Sequence, residues 1–356
     1  MRRVNAEKLQ DLVRDIFIAA GCSVEEARRI GKYLVGANLS GHDSHGVVRV
    51  SRYVDWKREG LIHADQKVDV LVDTPVLAVL DGKYGFGQTV APQAVEIGIE
   101  KCRAMGLSAV GLRHSGHVGR VGDWAEMAAA AGFVSVHFVN VKGSILVAPF
   151  GGIERRLSTA PCCIGVPRAD GEPIILDFAT SLVAEGKVLV ASQGGKKLPD
   201  GALIGPDGKV SSDPHLLYGD YEPEGPRSYR NGAGALRAFG EHKGAGLAVM
   251  CELLGGALTG NGAAGPGRWA NGMFSFYVDP AKLDPQQMFS GEIARFIGYL
   301  KNTKTVEPGG EILLPGEPEA RMRAERLAQG IPLPDDTWAA LLATARNVGL
   351  DVSKLS

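Results

Sequence analysis

The sequence predicts a mixed α/β fold of the α+β class, in which a sheet domain is joined to an all-helical domain. Apolar residues recur at helical spacing through the first seventy residues and again near the C-terminus. Between these two parts, short apolar runs alternate with helical segments, as in a chain that builds a sheet. We therefore assign residues 1–70, joined by the C-terminal helices at 284–356, to the helical domain, and residues 71–283 to the α/β domain.

The first two helices have clear start and stop signals. Residues 5–22 form an amphipathic stripe that ends at Gly21. Ser23 and Glu26 have the spacing of a capping box, which predicts a second helix over 24–39. Ser40 and Gly41 then break the pattern, and a further helix is expected after Gly46.

The middle of the chain predicts strands and helices in alternation. A Gly, Pro, Asp and Ser-rich segment at 186–240 is expected to be a long loop, and the almost wholly apolar segment at 244–260 a buried central helix. The strands are expected at 68–72, 75–80, 107–113, 133–141, near 163–167, 173–177 and 273–279. The helices are expected at 88–105, 123–131, 284–300, 317–329 and 336–348.

Composition limits the classes of function. A chain of 356 residues with 45% apolar residues can bury a core, and a net charge of −1 gives no reason to expect nucleic acid or an anionic membrane as a partner. The sequence has no apolar run of about 18 residues and no signal-peptide core, so we expect a cytoplasmic protein. Five cysteines without a C-x-x-C spacing indicate neither a disulfide framework nor a thiolate metal site.

The densest polar chemistry lies in Ala37–Tyr53. Ser44 and His45 fall in a turn at a helix start, and Arg49 and Tyr53 follow on one face of that helix, four residues apart. This stretch offers a proton carrier, a cation suited to a carboxylate, and a phenol. An ordinary solvated helix face is the alternative, and the apolar surroundings of the cluster disfavour it.

A second polar cluster spans Arg113–Gly122, between a strand and a helix. Its glycines allow close approach of the backbone to a ligand, and the helix that begins near Asp123 is expected to offer free N–H groups to a phosphate. His117 is a second candidate proton carrier or a cofactor contact. An ordinary glycine turn with exposed histidines is the alternative.

Both clusters contain an H-x-x-H spacing, in His42 with His45 and in His114 with His117. Two such pairs could form a zinc site, so a metal-dependent hydrolase or lyase is a rival hypothesis. The spacing falls on loops, without a helical H-E-x-x-H motif, and we therefore expect no metal.

Two further patterns are rejected. Gly260, Gly262 and Gly265 match G-x-G-x-x-G, but they follow a helix and precede Pro266, which is the wrong context for a Rossmann fingerprint. Ser44, His45 and Asp177 could suggest a hydrolase triad. An adjacent serine and histidine rarely act as nucleophile and base, and the sequence has no G-x-S-x-G nucleophile elbow.

Three other segments are candidate ligand contacts. Leu176–Ser181, LDFATS, places an acid at a strand end before small residues. Lys243 lies at the start of the apolar helix, where a cation is unexpected unless an anion binds there. LLPGE at 313–317 is a compact turn.

Taken in order, these motifs resemble the type-2 malate/L-lactate dehydrogenase family. GHDSHGVVR, HSGHVGRVGDWAE, APFGG, LDFATS, HKGAGLA and LLPGE span nearly the whole chain. The resemblance implies a non-Rossmann NAD(P)-binding sheet domain and a homodimer that uses NAD or NADP. It also implies an oxidoreductase that interconverts 2-oxoacids and 2-hydroxycarboxylates, of which malate, lactate and hydroxyphenyllactate are examples.

The resemblance also assigns site residues. It implies His45 at the reacting centre, with His117, Ser44 and Asp177 as further catalytic candidates, because branches of the family use different groups. The expected substrate contacts are Arg49, Tyr53 and Thr159. Thr159 lies in RRLSTAPCC, where relatives often have GTNP, and this departure leaves the substrate open. The expected cofactor contacts are His45, Gly119, Arg120, Val121, Leu176, Asp177, Phe178, Ala179, Lys243, Asn271, Leu314, Pro315, Gly316 and Glu317.

We therefore expect reversible hydride transfer between the nicotinamide ring and C2 of a 2-hydroxyacid. Arg49 would hold the substrate carboxylate, and a neutral histidine would exchange the hydroxyl proton. Reduction of a cyclic imino acid, such as a pyrroline or piperideine carboxylate, is the alternative within the oxidoreductases. A binding protein without turnover is a third possibility.

Overall fold

A computed structural model describes residues 2–192, 194, 197–222 and 227–353. The described chain forms twelve helices and twelve strands. The helices are α1 Ala6–Ala19, α2 Val24–Leu39, α3 Val50–Arg58, α4 Gly87–Met105, α5 Gly122–Ala130, α6 Glu185–Ser192, α7 His215–Tyr218, α8 His242–Cys251, α9 Pro280–Leu283, α10 Phe289–Lys301, α11 Glu317–Gln329 and α12 Asp335–Asn347. The strands are β1 Arg2–Val4, β2 Asp69–Asp73, β3 Leu77–Gly85, β4 Leu107–Ser115, β5 Val134–Lys142, β6 Pro161–Val166, β7 Ile174–Ala179, β8 Leu203–Ile204, β9 Val210–Ser211, β10 Ala235–Leu236, β11 Ala270–Val278 and β12 Ile331–Leu333.

A seven-stranded mixed sheet is the centre of the molecule, with strand order β2-β3-β4-β11-β5-β6-β7. In this sheet β3 and β4 are parallel, and the other neighbouring strands are antiparallel. Helices α4 and α5 cover one face with an apolar core that includes Trp124, Val95 and Tyr277. This mixed order confirms that the sheet is not the parallel sheet of a Rossmann fold.

The terminal segments share a second core, in which Phe17, Leu34 and Tyr53 pack with Ile331 and Leu341. The expectation that this part is all-helical is wrong, because β1 pairs with β12 in a two-stranded antiparallel sheet. Three-residue strands carry too few residues for the alternation that reveals a strand in a sequence. The boundaries of the two predicted domains stay a prediction.

The segment expected to be a long loop at 186–240 is instead largely structured where it is described. It carries α6, α7 and the small sheet β10-β8-β9, and its Leu203, Leu217 and Leu236 belong to a third apolar core. The guanidinium of Arg155 donates hydrogen bonds to four backbone carbonyls of this region, including that of Gly234 at 2.6 Å. These contacts explain how a Gly- and Pro-rich segment is ordered without long helices or strands.

Helix α8 continues as a π-helical turn at Glu252–Leu258 and packs on the second face of the sheet. The expectation that this helix is buried all round is wrong. Val249, Met250, Leu253 and Leu258 are 38–59% exposed along its outer side. An apolar sequence therefore covers the sheet on one side of the helix and leaves an apolar strip on the other.

Smaller differences also have local causes. The predicted capping box forms only in half: Ser23 Oγ accepts from the Glu26 N–H, but the Glu26 carboxylate accepts from Thr89 and from the Asp65 N–H. The helix expected at 284–300 begins only at Phe289, as α10, because the Asp284 carboxylate accepts the Phe289 N–H at 2.6 Å, and the short helix α9 lies before the expected range. Within the described residues, every helix is too short or too polar to cross a bilayer.

Candidate active site

The Ser44–His45 turn is a 3₁₀ turn held from two sides. The Asp43 carboxylate before it receives both terminal nitrogens of Arg326, at 2.6 and 3.0 Å. Asn38 Nδ2 donates to the same carboxylate at 2.6 Å. A Cβ atom on Gly46 would lie 2.2 Å from Asn38 Oδ1, so glycine is required for this close approach. Residues from both ends of the chain thus position the turn.

His45 is paired with a serine and stacked on the second predicted histidine. Ser44 Oγ lies 3.0 Å from His45 Nδ1, and the rings of His45 and His117 stack with centroids 5.5 Å apart. Burial, with a further contribution from Arg49, lowers the pKa of His45 to about 3. The imidazole is therefore neutral at pH 7 and able to accept a proton.

His117 is brought to the same place from the loop after β4. The Tyr53 hydroxyl lies 2.6 Å from His117 Nδ1, and Gln88 Nε2 lies 3.2 Å from that hydroxyl. Burial lowers the pKa of His117 well below its ordinary value, and Arg49 lowers it further. As whole residues, His45 and His117 are partly exposed.

Arg49 is anchored through one of its three nitrogens. Its Nε donates to the Ser44 carbonyl at 2.6 Å, and among the described residues the two terminal nitrogens have no hydrogen-bond partner. An arginine held in this way presents a fork to an incoming carboxylate. Tyr53, also predicted to contact the substrate, is fully buried, and its hydroxyl contacts His117 and Gln88.

Asp177 lies inside β7, which continues to Ala179 beyond the predicted end at 177, and it caps helix α5. Its carboxylate accepts the Gly122 N–H at 2.7 Å, and burial raises its pKa. The expectation that the start of this helix leaves N–H groups free for a phosphate is therefore wrong at Gly122, because an acidic side chain already occupies the positive end of the helix.

Arg120 forms buried ion pairs just before and within helix α5. The guanidinium of Arg120 is buried and pairs with Asp123 at 2.9 Å and Glu126 at 2.7 Å. Burial raises the pKa of Asp123 to about 6, although Arg120 opposes the shift. Arg120 and its neighbours Gly119 and Val121, all predicted cofactor contacts, are buried.

Leu314–Glu317 lies against the start of β7. Pro315 provides the carbonyl that accepts the Ile175 N–H at 3.2 Å, and Glu317 closes the turn by accepting from Leu314 N at 2.8 Å. The turn therefore lies next to Leu176–Ala179, the other predicted cofactor segment. The two segments are separated by more than 130 residues in the chain and meet in space.

The remaining predicted residues surround this centre at different depths. Asn271 is buried, and its side chain links the Val118 N–H to the Asn140 carbonyl, which holds the His117 loop from behind. Lys243 is exposed in the first turn of α8, and Thr159 is partly exposed just before β6.

The two H-x-x-H pairs do not converge. His42 Nε2 lies 3.2 Å from Glu319, and His114 Nδ1 lies 3.0 Å from Asp81, whereas His45 and His117 stack on one another. Among the described residues, no group of three or more His, Cys, Asp or Glu side chains is arranged to hold a metal ion.

The predicted cofactor segment in β7 presents partly exposed apolar side chains. Leu176 is 40% exposed, and Phe178 and Ala179 are partly exposed, so β7 offers apolar surface to a flat ring. A cavity of about 470 Å³ adjoins this strand and is lined by Ile175 and Gly316 together with two arginines and three glutamates, Arg168, Arg323, Glu126, Glu172 and Glu319. That volume lies within the range of small-molecule sites.

Sequence reasoning missed a set of buried amides and acids behind the site. Gln88 contacts Tyr53, and Glu252 accepts hydrogen bonds from Asn140 Nδ2, Ser158 and the Ala264 N–H. A polar residue at the start of an apolar helix, as in GFGQT, was the available signal for Gln88. Nothing in the sequence marks Glu252 as a buried acceptor inside an apolar helix.

Comparison with known proteins gives one consistent result. The family model described as malate/L-lactate dehydrogenase matches residues 4–342. The chain is 38% identical to hydroxycarboxylate dehydrogenase B of Escherichia coli O157:H7, covering 98% of this chain and 95% of the relative. The malate dehydrogenase structure from Pyrococcus horikoshii OT3 superposes with a TM-score of 0.85 at 28% identity, covering 98% and 96% of the two chains. A Δ1-piperideine-2-carboxylate reductase structure from Pseudomonas syringae gives 0.81 at 28% identity, covering 97% and 100%. The chain therefore belongs to the malate/L-lactate dehydrogenase family.

Proposed function

We propose that this protein catalyses reversible hydride transfer between NAD(P)H and C2 of a 2-oxoacid, giving a 2-hydroxycarboxylate. The observation that carries the proposal is the free fork of Arg49 beside two stacked, neutral imidazoles. Malate-, lactate- and hydroxyphenyllactate-like acids are the proposed substrate class. When bound, the nicotinamide supplies or accepts the hydride, and the chain supplies placement and proton transfer.

Arg49 places the substrate. Its two terminal nitrogens would pair with the two carboxylate oxygens, while Nε stays on the Ser44 carbonyl and keeps the guanidinium plane in one orientation. This pairing brings the carbon next to the carboxylate, C2, close to the two histidines. A fixed orientation of C2 is worth a large part of the barrier in a bimolecular reaction.

One of the two histidines exchanges the proton. In oxidation, a neutral imidazole takes the proton from the C2 hydroxyl as the hydride leaves C2. In reduction, the imidazolium returns it to the C2 oxygen as the C–H bond forms. The bound carboxylate would also reduce the effect of the Arg49 charge, which lowers both histidine pKa values in its absence. His45 is the first candidate, and Ser44 orients its ring through the 3.0 Å contact.

The cofactor contacts that we propose are the following. Leu176, Phe178 and Ala179 would lie against the nicotinamide end, and the turn Leu314–Glu317 would approach the rest of the dinucleotide from across β7. Asp177 would hold the loop Gly119–Val121 in register through its bond to Gly122. Lys243, at the start of α8, would meet a phosphate group.

The assay is oxidation of NADH or NADPH, followed at the nicotinamide absorbance, with a panel of 2-oxoacids. We expect turnover with at least one 2-oxoacid and none with the matching aldehyde or ketone that lacks the carboxylate. Equal turnover with and without the carboxylate would contradict the role of Arg49.

Reduction of a cyclic imino acid is the second candidate. It is supported by the likeness to the Δ1-piperideine-2-carboxylate reductase, because a cyclic imine presents the same carboxylate next to its C=N bond. Adding piperideine- and pyrroline-2-carboxylate to the panel distinguishes 2-oxoacid reduction from imino-acid reduction. The activity is the one whose substrate has the higher kcat/KM.

We also propose that the protein is a homodimer. The exposed strip of Val249, Met250, Leu253 and Leu258 on α8 and its π-helical turn is contiguous and apolar, as expected of a face covered by a second copy. Leu253→Lys should shift the mass measured by light scattering toward that of a monomer, whereas Leu283→Lys, at an exposed leucine outside the strip, should not. A monomeric unmodified protein would contradict the proposal.

A further inference from the structure

A buried hydrogen-bond chain leads from helix α4 to one ring nitrogen of His117. Gln88 Nε2 lies 3.2 Å from the Tyr53 hydroxyl and 3.3 Å from the His117 carbonyl oxygen, and the Tyr53 hydroxyl lies 2.6 Å from His117 Nδ1. The side chains of Gln88 and Tyr53 are 1% and 0% exposed. Bulk solvent therefore does not reach these groups.

The direction of each bond follows from the groups involved. The His117 carbonyl oxygen can only accept, so the amide atom of Gln88 that faces it must be the nitrogen. That nitrogen then donates to the Tyr53 oxygen as well. The phenol has one hydrogen, and within the described residues its remaining neighbour is His117 Nδ1. Donation to Nδ1 leaves no buried hydrogen unpaired, which is the arrangement that folded proteins favour.

We propose that Gln88 is a positioning residue that, through Tyr53, holds neutral His117 in the tautomer with its proton on Nε2. His117 then offers a hydrogen-bond donor to the C2 oxygen of the substrate and does not act as the proton acceptor, which is left to His45. The second part of this proposal rests on the proposed function, whereas the tautomer itself does not.

The two neutral histidines consequently have different tasks, although they stack at 5.5 Å and lie in similar surroundings. His45 Nδ1 faces a serine hydroxyl, which can donate or accept, so His45 is free to change its protonation state. His117 Nδ1 faces a phenol whose hydrogen is already directed to it. A neutral donor at the developing oxyanion lowers the barrier without itself being deprotonated.

The experiment is ¹⁵N NMR of the histidine side chains in the whole protein without substrate. Long-range ¹H–¹⁵N correlations show which ring nitrogen carries the proton, and the spectrum of His117→Gln identifies the His117 signals among the eight histidines. We expect His117 to carry its proton on Nε2 at pH 7.5. A proton on Nδ1 would overturn the proposal.

Gln88→Glu tests the role of the glutamine. An ionised carboxylate can only accept, so the Tyr53 hydrogen should turn toward it and the phenol oxygen should then accept from His117 Nδ1. We expect the tautomer to switch between pH 6 and pH 9 in Gln88→Glu, but not in the unmodified protein or in Gln329→Glu, at an exposed glutamine. No switch by pH 9 would overturn the role of Gln88.

Kinetics give a second readout. Loss of one donor to a developing oxyanion lowers kcat by about 10²-fold or more, and Gln88→Glu should show this loss at pH 9 with little change in KM. If the unmodified protein has the expected tautomer but reduces no 2-oxoacid, the proposed function fails and the tautomer assignment stands. If Gln88→Glu does not fold, the His117 tautomer in the unmodified protein and in Tyr53→Phe tests the proposal. We expect the Nε2 proton alone in the unmodified protein and both tautomers in Tyr53→Phe, and a single unchanged tautomer in Tyr53→Phe would contradict the role of the phenol.

Discussion

Replacement of Arg49 by lysine tests the carboxylate fork directly. Lysine keeps the positive charge but offers a single ammonium, which cannot contact the Ser44 carbonyl and both oxygens of a carboxylate with the same geometry. We expect the loss of one charge-assisted hydrogen bond to the substrate, worth about 1.5–3 kcal/mol. This corresponds to a decrease of about 10-fold to 150-fold in kcat/KM.

The assay is the initial rate of NAD(P)H oxidation over a range of 2-oxoacid concentrations. Arg52→Lys is the matched control, because Arg52 is exposed in the first turn of α3, directly after Arg49. The dissociation constant of the cofactor and the free energy of unfolding should be the same in both variants. A kcat/KM for Arg49→Lys within threefold of that of Arg52→Lys would refute the fork.

Three further predictions concern the close approach at Gly46, the buried His137 and the dependence of activity on metal. Gly46→Ala should lower both the free energy of unfolding, by about 1–3 kcal/mol, and kcat/KM, because its Cβ would meet Asn38. Gly36→Ala, in the last turn of α2 where a Cβ atom would meet open space, should instead stabilise the protein by about 0.5–1 kcal/mol in the same urea titrations. Burial lowers the pKa of His137 to about 3, so the unfolded chain binds more protons than the folded chain between about pH 3 and 6.5. The free energy of unfolding therefore decreases as the pH is lowered through that range. Between pH 7 and pH 4.5, the free energy of unfolding of His137→Gln should decrease by about 2–3 kcal/mol less than that of the unmodified protein. His215→Gln, at an exposed histidine, should show the same decrease as the unmodified protein. Treatment with a chelator should leave turnover unchanged, and activity restored only by zinc would instead support the metal-dependent alternative.

Much of the fold was predictable because its longer elements have strong local patterns. Helix α11 begins and ends where the sequence predicts, and α4, α5 and β5 differ by one residue. Amphipathic spacing, β-branched runs and helix-ending glycines are properties of neighbouring residues, and the helices and strands that they predict form in the structure. The elements that were missed are short, such as β1 and β12, which form only because the two ends of the chain meet.

The third core at 146–236 shows a different limit. The glycines and prolines of 186–240 predict a loop because they break helices and strands. The segment is nevertheless packed, since Arg155 satisfies four of its carbonyls and its scattered leucines share one core with Leu146. Long-range polar contacts of this kind leave no periodic signal in the sequence.

The reacting groups of the candidate site were predictable from the sequence, but the residues that hold them in place were not. His45, Arg49 and His117 come from two motifs that the sequence singles out, and the fold brings them together. Gln88 and Asn271 support the His117 loop through bonds whose partners lie 29 to 153 residues away in the chain. Such partners can be identified only once the register of β4 and β11 is known.

The proposed reaction requires direct transfer of hydride to the carbon beside the carboxylate that Arg49 holds. The most direct measurement is a reaction with nicotinamide cofactor deuterated at C4, followed by mass spectrometry of the 2-hydroxyacid product. We predict one deuterium at C2 when the transferred face is labelled and none when the reaction is run in deuterated water with unlabelled cofactor. Deuterium at C2 from the solvent, or none from either labelled face of the cofactor, would contradict hydride transfer at this site.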